Sequence, residues 1–119
     1  MKIIIKATNL KLSPSIKQYI ETKIGGLEKF IKASPYEIWV EVGKTTHHHH
    51  KGQVFRAEVQ LKLPGKGLRV ESVKNDIHLA IDEVKDQLQR ELKQYQEKQI
   101  SKTKKGARVF KYEIRNPKF

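Results

Sequence analysis

The chain has 119 residues, no cysteine, and a formal net charge of +12 at pH 7 with a pI near 9.9. This length predicts one domain with a real hydrophobic core, and the lack of cysteine excludes disulfides and thiolate metal sites. The apolar runs are too short for a membrane span or a signal peptide, so we expect a cytoplasmic protein, and the strongly basic composition favours nucleic acid as its partner.

The first predicted elements are a strand and a helix. Residues 3–5 are three isoleucines between two lysines, a pattern typical of a short strand. Ser13 followed by Pro14 predicts the start of a helix, because Ser caps helices well and Pro fits the first helical position. Gly25 and Gly26 interrupt this helix and predict a kink or close packing. The apolar stripe of the helix consists of Ile16, Ile20, Ile24, Leu27 and Ile31.

Three segments with alternating apolar residues come next and predict three strands, over residues 36–42, 53–63 and 68–73. The stretch from Pro64 to Gly67 predicts a hairpin turn between the last two strands, not a phosphate-binding loop, because it joins strand to strand. The residues predicted to face the core are Ile38, Val40, Val42, Phe55, Ala57, Val59, Leu61, Leu63, Leu68 and Val70.

Trp39 falls between two of these core positions and is predicted to lie on the opposite face of the sheet, near Arg56 and within reach of Arg69. An aromatic ring at such a place can stack on an RNA base. Packing across the strands against Ile4 and Val54 is the interpretation that we favour.

The last predicted helix begins after Asn75, a good capping residue, with Asp76 near the positive end of the helix. Its apolar periodicity stops near Ser101. Residues 101–119 then hold seven Lys or Arg against one acidic residue. We therefore expect a folded domain over residues 1–100 and a mobile basic tail over residues 101–119. The apolar stripe of this helix consists of Ile77, Ile81, Val84, Leu88, Leu92 and Tyr95.

The predicted element order is β-α-β-β-β-α, which indicates an α+β fold. Each strand has one apolar face and each helix has one apolar stripe. The simplest arrangement that buries all of them has two layers, a four-stranded sheet with both helices on one face. The first two strands are then connected by a helical crossover.

The consecutive histidines His47, His48, His49 and His50 suggest a metal site, because imidazole is a common metal ligand. Neighbouring residues in a loop cannot all reach one ion without further oriented ligands. We interpret them as a solvated hairpin loop that gains charge below about pH 6. Direct contact with phosphate, or a metal-binding or pH-sensing role, is the alternative.

No combination of nucleophile, base and orienting residue is recognisable in the sequence, so we expect no enzyme, no cofactor and no small-molecule substrate. Asp82, Glu83 and Asp86 lie opposite the apolar stripe of the last helix. They are interpreted as a solvated face and not as a catalytic pair.

Three stretches carry a family resemblance: SPSIKQYIETKIGGLEKF, HHHHKGQVFRAEVQLKLPGKGLRVE and NDIHLAIDEVKDQLQRELKQYQEK. Together, over roughly residues 1–98, they resemble the ribosome hibernation promoting factor family, also called ribosome-associated inhibitor A. The resemblance implies a fold similar to double-stranded-RNA-binding domains with an extra strand. It also implies binding to the small ribosomal subunit and its ribosomal RNA in the channel for messenger and transfer RNA, which blocks translation and preserves idle ribosomes.

The resemblance further implies that basic residues on the two helices contact RNA. Lys23, Lys29, Arg90 and Lys93 match that pattern by position, and Lys17 and Lys85 are plausible additions. The chain stops before the second domain of long family members, so a short, monomeric form is expected. Outside the resemblance, the tail offers Lys102, Lys104, Lys105 and Arg108 as further contacts. A general module for structured RNA, not specific to ribosomes, is the alternative function.

Overall fold

The computed structural model describes residues 3–32, 34–45 and 54–111, with side chains as far as Lys98. The elements follow the predicted order, with one short 3-10 helix in addition, over Glu28–Phe30. Their bounds are β1 Ile3–Thr8, α1 Pro14–Gly25, β2 Glu37–Thr45, β3 Val54–Leu63, β4 Lys66–Lys74 and α2 Ile77–Lys111. The predicted histidine loop, His47–His50, lies outside the described residues.

The four strands form one sheet in the order β1-β2-β3-β4, so each strand pairs with its neighbours in the chain. β1 and β2 are parallel, and the other two pairs are antiparallel. A parallel pair needs a long connection, which α1 provides. The β3–β4 turn is tighter than expected, because Lys66 already pairs with Leu63. Only Pro64 and Gly65 form it, and Gly65 has a φ of 73°, which glycine tolerates without strain.

The first helix begins and ends where local chemistry dictates. The Ser13 side chain accepts a hydrogen bond from the Ile16 amide at 3.2 Å, which satisfies one of the free N–H groups of the first turn. The helix ends at Gly25, and Gly26 caps it. The sequence predicted a kink or close packing at these two glycines, whereas the α-helix ends there. Leu27, just beyond it, is fully buried and continues the apolar stripe into the 3-10 helix.

The second helix differs from the sequence prediction at its start. Asp76, not Asn75, caps it, because Asp76 Oδ1 accepts a hydrogen bond from the His78 amide at 2.8 Å. A carboxylate there also interacts favourably with the helix dipole. The helix also continues to Lys111, past Ser101 where the apolar periodicity ends, and the mobile tail over residues 101–119 stays a prediction. Lys, Ala and Arg are strong helix formers, so the backbone stays helical after the apolar periodicity ends. Residues 112–119 lie outside the described part.

Both helices pack on one face of the sheet, as predicted. The strand positions expected to face the core are buried, except Phe55, which is half-buried. α1 contributes Ile20 and Ile24, and α2 contributes most of its stripe. Within the described residues, no helix has the length and apolarity needed to cross a membrane. In the part of the chain that the structure describes, no helix packs on the other face of the sheet, whose side chains are mostly polar.

Candidate nucleic-acid interface

The candidate RNA-binding residues lie on the helix layer. Lys17, Lys29, Arg90 and Lys93 are exposed, and Lys23 and Lys85 are half-buried. The sequence suggested that Lys29 belongs to the first α-helix, but it lies in the 3-10 helix. The four tail candidates have helical backbone, but their side chains lie outside the described part of the chain: Lys102, Lys104, Lys105 and Arg108.

A hydrogen bond between the two helices sets their relative position. The Tyr19 hydroxyl on α1 donates to Asp82 Oδ1 on α2 at 2.6 Å. Because the phenol donates to a carboxylate, losing its proton is unfavourable, and the pKa of Tyr19 rises to about 12. The His78 ring contacts the Tyr19 ring edge-on, with 4.6 Å between centroids. This contact fixes the α1 surface that carries Lys23.

Two of the candidate lysines already have carboxylate neighbours. Lys23 Nζ is 3.8 Å from Asp82 Oδ1 and lies 5.5 Å from the centroid of the Tyr19 ring. Lys85 Nζ is 3.6 Å from Asp86 Oδ1. Solvent-accessible ion pairs of this kind contribute little to stability, about 0–1 kcal/mol. Lys23 and Lys85 are therefore partly neutralised before any ligand binds.

The structure brings two predicted residues, Lys29 and Lys93, to the rim of one surface hollow between the 3-10 helix and α2. Gln96 closes the contact between these elements. Its Oε1 accepts from the Lys32 amide at 2.9 Å, and its Nε2 donates to the Phe30 carbonyl at 2.9 Å. The hollow is lined by Lys29, Phe30, Lys32, Gln89, Lys93, Gln96 and Glu97.

Arg90 does not line this hollow. It follows Glu83 at two helical turns, and its positive charge contributes to lowering the pKa of that carboxylate. The largest cause of the lowered pKa is the hydrogen bond that Glu83 accepts from Ser72 on β4. Lys74 Nζ also lies 3.4 Å from Glu83 Oε1. Arg90 therefore belongs to the side of α2 that approaches β4.

The exposed cations of the helix layer differ from Lys23 in one respect. Among the residues that the structure describes, Lys17, Lys29, Arg90 and Lys93 form no ion pair. Unpaired cations can neutralise phosphates without first breaking an internal contact. The exposed part of the helix layer that carries Lys17, Lys29, Arg90 and Lys93 is called the helix surface below.

The open face of the sheet has a different electrostatic organisation. Glu58 is buried, with 6% of its surface exposed, and accepts hydrogen bonds from Arg69, Arg56 and Gln60. The hydrogen bond from Arg69 is the main reason that the pKa of Glu58 falls to about 2. Arg56 also contacts Glu71. The two arginines of the open face are therefore paired with carboxylates of the same sheet.

Trp39 lies on this open face with 38% of its surface exposed. It pairs across the strands with Ile4, as predicted, but Val54 lies opposite Thr45 and Arg56 opposite Gly43, so those predicted neighbours are wrong. The tryptophan also has polar contacts. Its Nε1 donates to Glu37 at 2.7 Å, and Lys62 Nζ lies 5.1 Å from its ring centroid.

The sequence suggested that the acidic residues of α2 form a solvated face, but two of them contact other elements. Asp82 and Glu83 are half-buried and hydrogen-bond Tyr19 and Ser72, so they hold α2 against α1 and β4. Only Asp86 is exposed. Within the described ranges, no cluster of three or more His, Asp or Glu side chains is arranged to hold a metal ion.

Sequence reasoning did not single out Phe30, Lys32 or Gln96. Phe30 is 38% exposed and lies off the apolar stripe, and Gln96 is an unremarkable residue in a polar stretch. The available signal was the aromatic residue in the LEKF segment, placed beside a lysine at a position that the helical spacing leaves outside the core.

The sequence matches the family described as Sigma 54 modulation protein / S30EA ribosomal protein over residues 3–100. It is 30% identical to the ribosome hibernation promotion factor of Lactococcus lactis subsp. cremoris, over 80% of this chain and 49% of that one. The factor of the same name from Staphylococcus aureus is also 30% identical, over 76% of this chain and 46% of that one. The chain thus spans about half the length of the curated relatives it matches.

Two solved structures have the same fold. The N-terminal domain of Thermus thermophilus Protein Y is 29% identical, with a TM-score of 0.62 over 80% of this chain and 99% of that chain. A ribosomal subunit interface protein from Coxiella burnetii is 17% identical, with a TM-score of 0.63 over 81% of this chain and 98% of that chain, and supports the fold alone. The match over residues 3–100 covers most of the sequence, so the chain belongs to the Sigma 54 modulation protein / S30EA ribosomal protein family.

Proposed function

We propose that this protein is a cytoplasmic ribosome hibernation factor. It binds the small ribosomal subunit in the channel for messenger and transfer RNA, blocks translation and preserves idle ribosomes. The observation that carries the proposal is the family match over residues 3–100, with relatives named ribosome hibernation promotion factors. The fold resembles that of the Protein Y N-terminal domain, and we propose that the protein acts as a monomer.

The helix surface supports RNA as the partner. Lys17, Lys29, Arg90 and Lys93 are exposed without ion pairs among the described residues, so each can bind a phosphate directly. Each phosphate that they neutralise releases counterions, and affinity then falls steeply with salt. Structured RNA presents its phosphates in a fixed geometry, so recognition depends on shape and not on base sequence. The tail residues Lys102, Lys104, Lys105 and Arg108 extend the same basic character.

The mechanism we propose is occlusion without chemistry. Tyr19, Asp82 and Gln96 tie the two helices and the 3-10 helix together, so the body presents its cations as one unit. A protein bound in the channel takes the space that transfer RNA needs. No covalent step is required for this mechanism.

The test is co-sedimentation of the purified protein with isolated small and large ribosomal subunits, at low and moderate salt, with and without excess transfer RNA. We expect the protein to pellet with the small subunit, to be released by salt, and to be displaced by transfer RNA. Pelleting with the small subunit that excess transfer RNA does not reduce would contradict occlusion of the channel. Equal affinity for arbitrary duplex RNA would favour a general module for structured RNA instead.

A further inference from the structure

An exposed aromatic ring lies among cations at one end of the helix layer. Phe30 exposes 38% of its surface and does not belong to the apolar core. It lines the same hollow as three lysines, Lys29, Lys32 and Lys93, against one acidic residue, Glu97. Lys29 Nζ lies 5.3 Å from the centroid of the Phe30 ring. The hollow therefore combines an aromatic face with a net positive rim.

Gln96 holds this aromatic ring in place. Its amide group bonds to the backbone on both sides of Ile31, accepting from the Lys32 N–H and donating to the Phe30 carbonyl, each at 2.9 Å. Both polar atoms of the side chain are used in this way. The 3-10 helix is thereby attached to α2, and Phe30 is presented from a backbone that does not have to rearrange when a ligand binds.

We infer that this hollow binds one unpaired RNA nucleotide, with its base stacked on Phe30 and its flanking phosphates bound by Lys29, Lys32 and Lys93. Gln96 is a positioning residue for the ring. The inference rests on the proposed function, because it assumes RNA as the partner, and it adds a base contact to what is otherwise phosphate binding. Aromatic side chains beside cations are the usual platforms for unstacked bases.

The charges favour RNA over a protein as the occupant. An isolated exposed phenylalanine can also mark a protein interface, but lysine is depleted in such interfaces, whereas three lysines line the hollow that holds this ring. The lysine over the ring does not block the site. A cation–π contact at an exposed site is weaker than a base–aromatic stack, so the base can displace the Lys29 amine, which is then free to bind phosphate.

The test compares two single strands of about ten nucleotides, oligoadenylate and a strand of equal length that lacks its bases, both binding to the full chain. Stacking requires the base and the ring, so Phe30→Ala is expected to weaken binding of oligoadenylate about tenfold and to leave the abasic strand unaffected. Phe30→Trp keeps a ring and is expected to bind oligoadenylate at least as well as the unchanged protein. Lys32→Gln should weaken both strands equally.

Phe30→Leu separates stacking from apolar contact, because leucine keeps the apolar bulk without the ring. We expect it to lose affinity for oligoadenylate as Phe30→Ala does. Binding by Phe30→Leu equal to that of the unchanged protein would overturn the inference, and so would an equal loss on both strands with Phe30→Ala. Urea unfolding of each variant checks that the fold is retained.

Parallel co-sedimentation with the small subunit keeps this inference separate from the proposed function. If the unchanged protein pellets with the small subunit but Phe30→Ala changes the affinity for both strands by the same factor, the stacking site is wrong and the hibernation role stands. If the unchanged protein does not pellet, yet Phe30→Ala loses only oligoadenylate, the stacking site stands and the ribosomal role is wrong.

Discussion

The helix surface and the open face of the sheet use charge in opposite ways. On the open face, Arg56 and Arg69 are bound to Glu58, which is buried. On the helix surface, Lys29 and Lys93 line a hollow and form no ion pair with any described residue. Both surfaces carry basic residues, but the two arginines of the open face are paired with carboxylates, whereas Lys29 and Lys93 are not.

This difference distinguishes charges that stabilise the fold from charges that are available for binding. A buried carboxylate with several donors costs stability when one partner is lost, because the remaining charge is left unpaired. An exposed lysine without a partner contributes little to stability. Net charge alone therefore does not locate a binding surface, whereas the pairing of each charge does.

The largest expected effect is on binding by the helix surface. The triple variant Lys29→Glu, Arg90→Glu and Lys93→Glu should weaken binding to the small subunit about 100-fold at low salt, because three phosphate contacts become repulsive. Lys23 is left unchanged, since it lies beside Asp82. Co-sedimentation against increasing salt measures the effect, and the slope with salt should become shallower.

The matched control for this variant reverses three exposed lysines elsewhere that form no ion pair among the described residues: Lys6, Lys11 and Lys66. The net charge changes by the same amount, so a general electrostatic effect would weaken both variants alike. If the control loses as much affinity as the helix-surface variant, the assignment of the helix surface as the binding site is wrong.

The next effect is on stability and comes from the open face. Glu58→Gln should lower the free energy of unfolding by about 1–3 kcal/mol at pH 7, since its carboxylate accepts bonds from Arg69 and Arg56. The pKa of Glu58 is lowered to about 2, so the stability it provides is fully present above its ordinary pKa near 4.5. That stability is lost as the pH falls from about 4.5 towards 2.

Urea unfolding of both proteins between pH 7 and pH 2 measures this. The gap between the unchanged protein and Glu58→Gln should close as the pH falls through that window. A gap that stays constant down to pH 2 would show that the ionisation of Glu58 does not contribute to stability.

A smaller effect concerns the basic segment at the end of α2. Deleting residues 101–119 removes seven Lys or Arg and one acidic residue, so we expect about tenfold weaker binding to the small subunit and a flatter salt dependence. Salt titration of co-sedimentation, with the full chain beside the truncated one, measures it. An unchanged salt slope would show that the segment does not contact RNA.

The smallest expected effect is the change in the free energy of unfolding when a lysine of the helix surface is replaced. Lys93→Gln should change the free energy of unfolding by less than about 0.5 kcal/mol, because Lys93 is exposed and unpaired within the described residues. The same measurement on Glu58→Gln serves as the contrast. A destabilisation by Lys93→Gln as large as that by Glu58→Gln would erase the distinction between the two surfaces.

The sequence predicted the layers and the core well, because a buried face requires apolar residues at a regular spacing along each strand or helix. Alternation placed Val40 and Val59 on the buried face, and helical spacing did the same for Leu88. The cap of α2 was misplaced by one residue because Asn75 and Asp76 are both good caps, and only the hydrogen bond to His78 decides between them.

The sequence could not reveal the pairing of surface charges, which depends on contacts across elements. Asp82 looked solvated until the structure brought Tyr19 of α1 to it. The hollow beside Phe30 forms because α1 ends at Gly25 and the 3-10 helix turns towards α2. Neither the turn nor the distant residue Gln96 leaves a periodic signal.

The continuity of α2 has an energetic consequence for its basic end. The costly step in forming a helix is its first turn, and each further residue then adds to an existing helix at little cost. In α2 that first turn is formed and packed within the core, around Ile81 and Leu88. The residues up to Lys111 extend a nucleus that the fold already supplies. An RNA that binds this segment therefore does not have to nucleate a helix from coil.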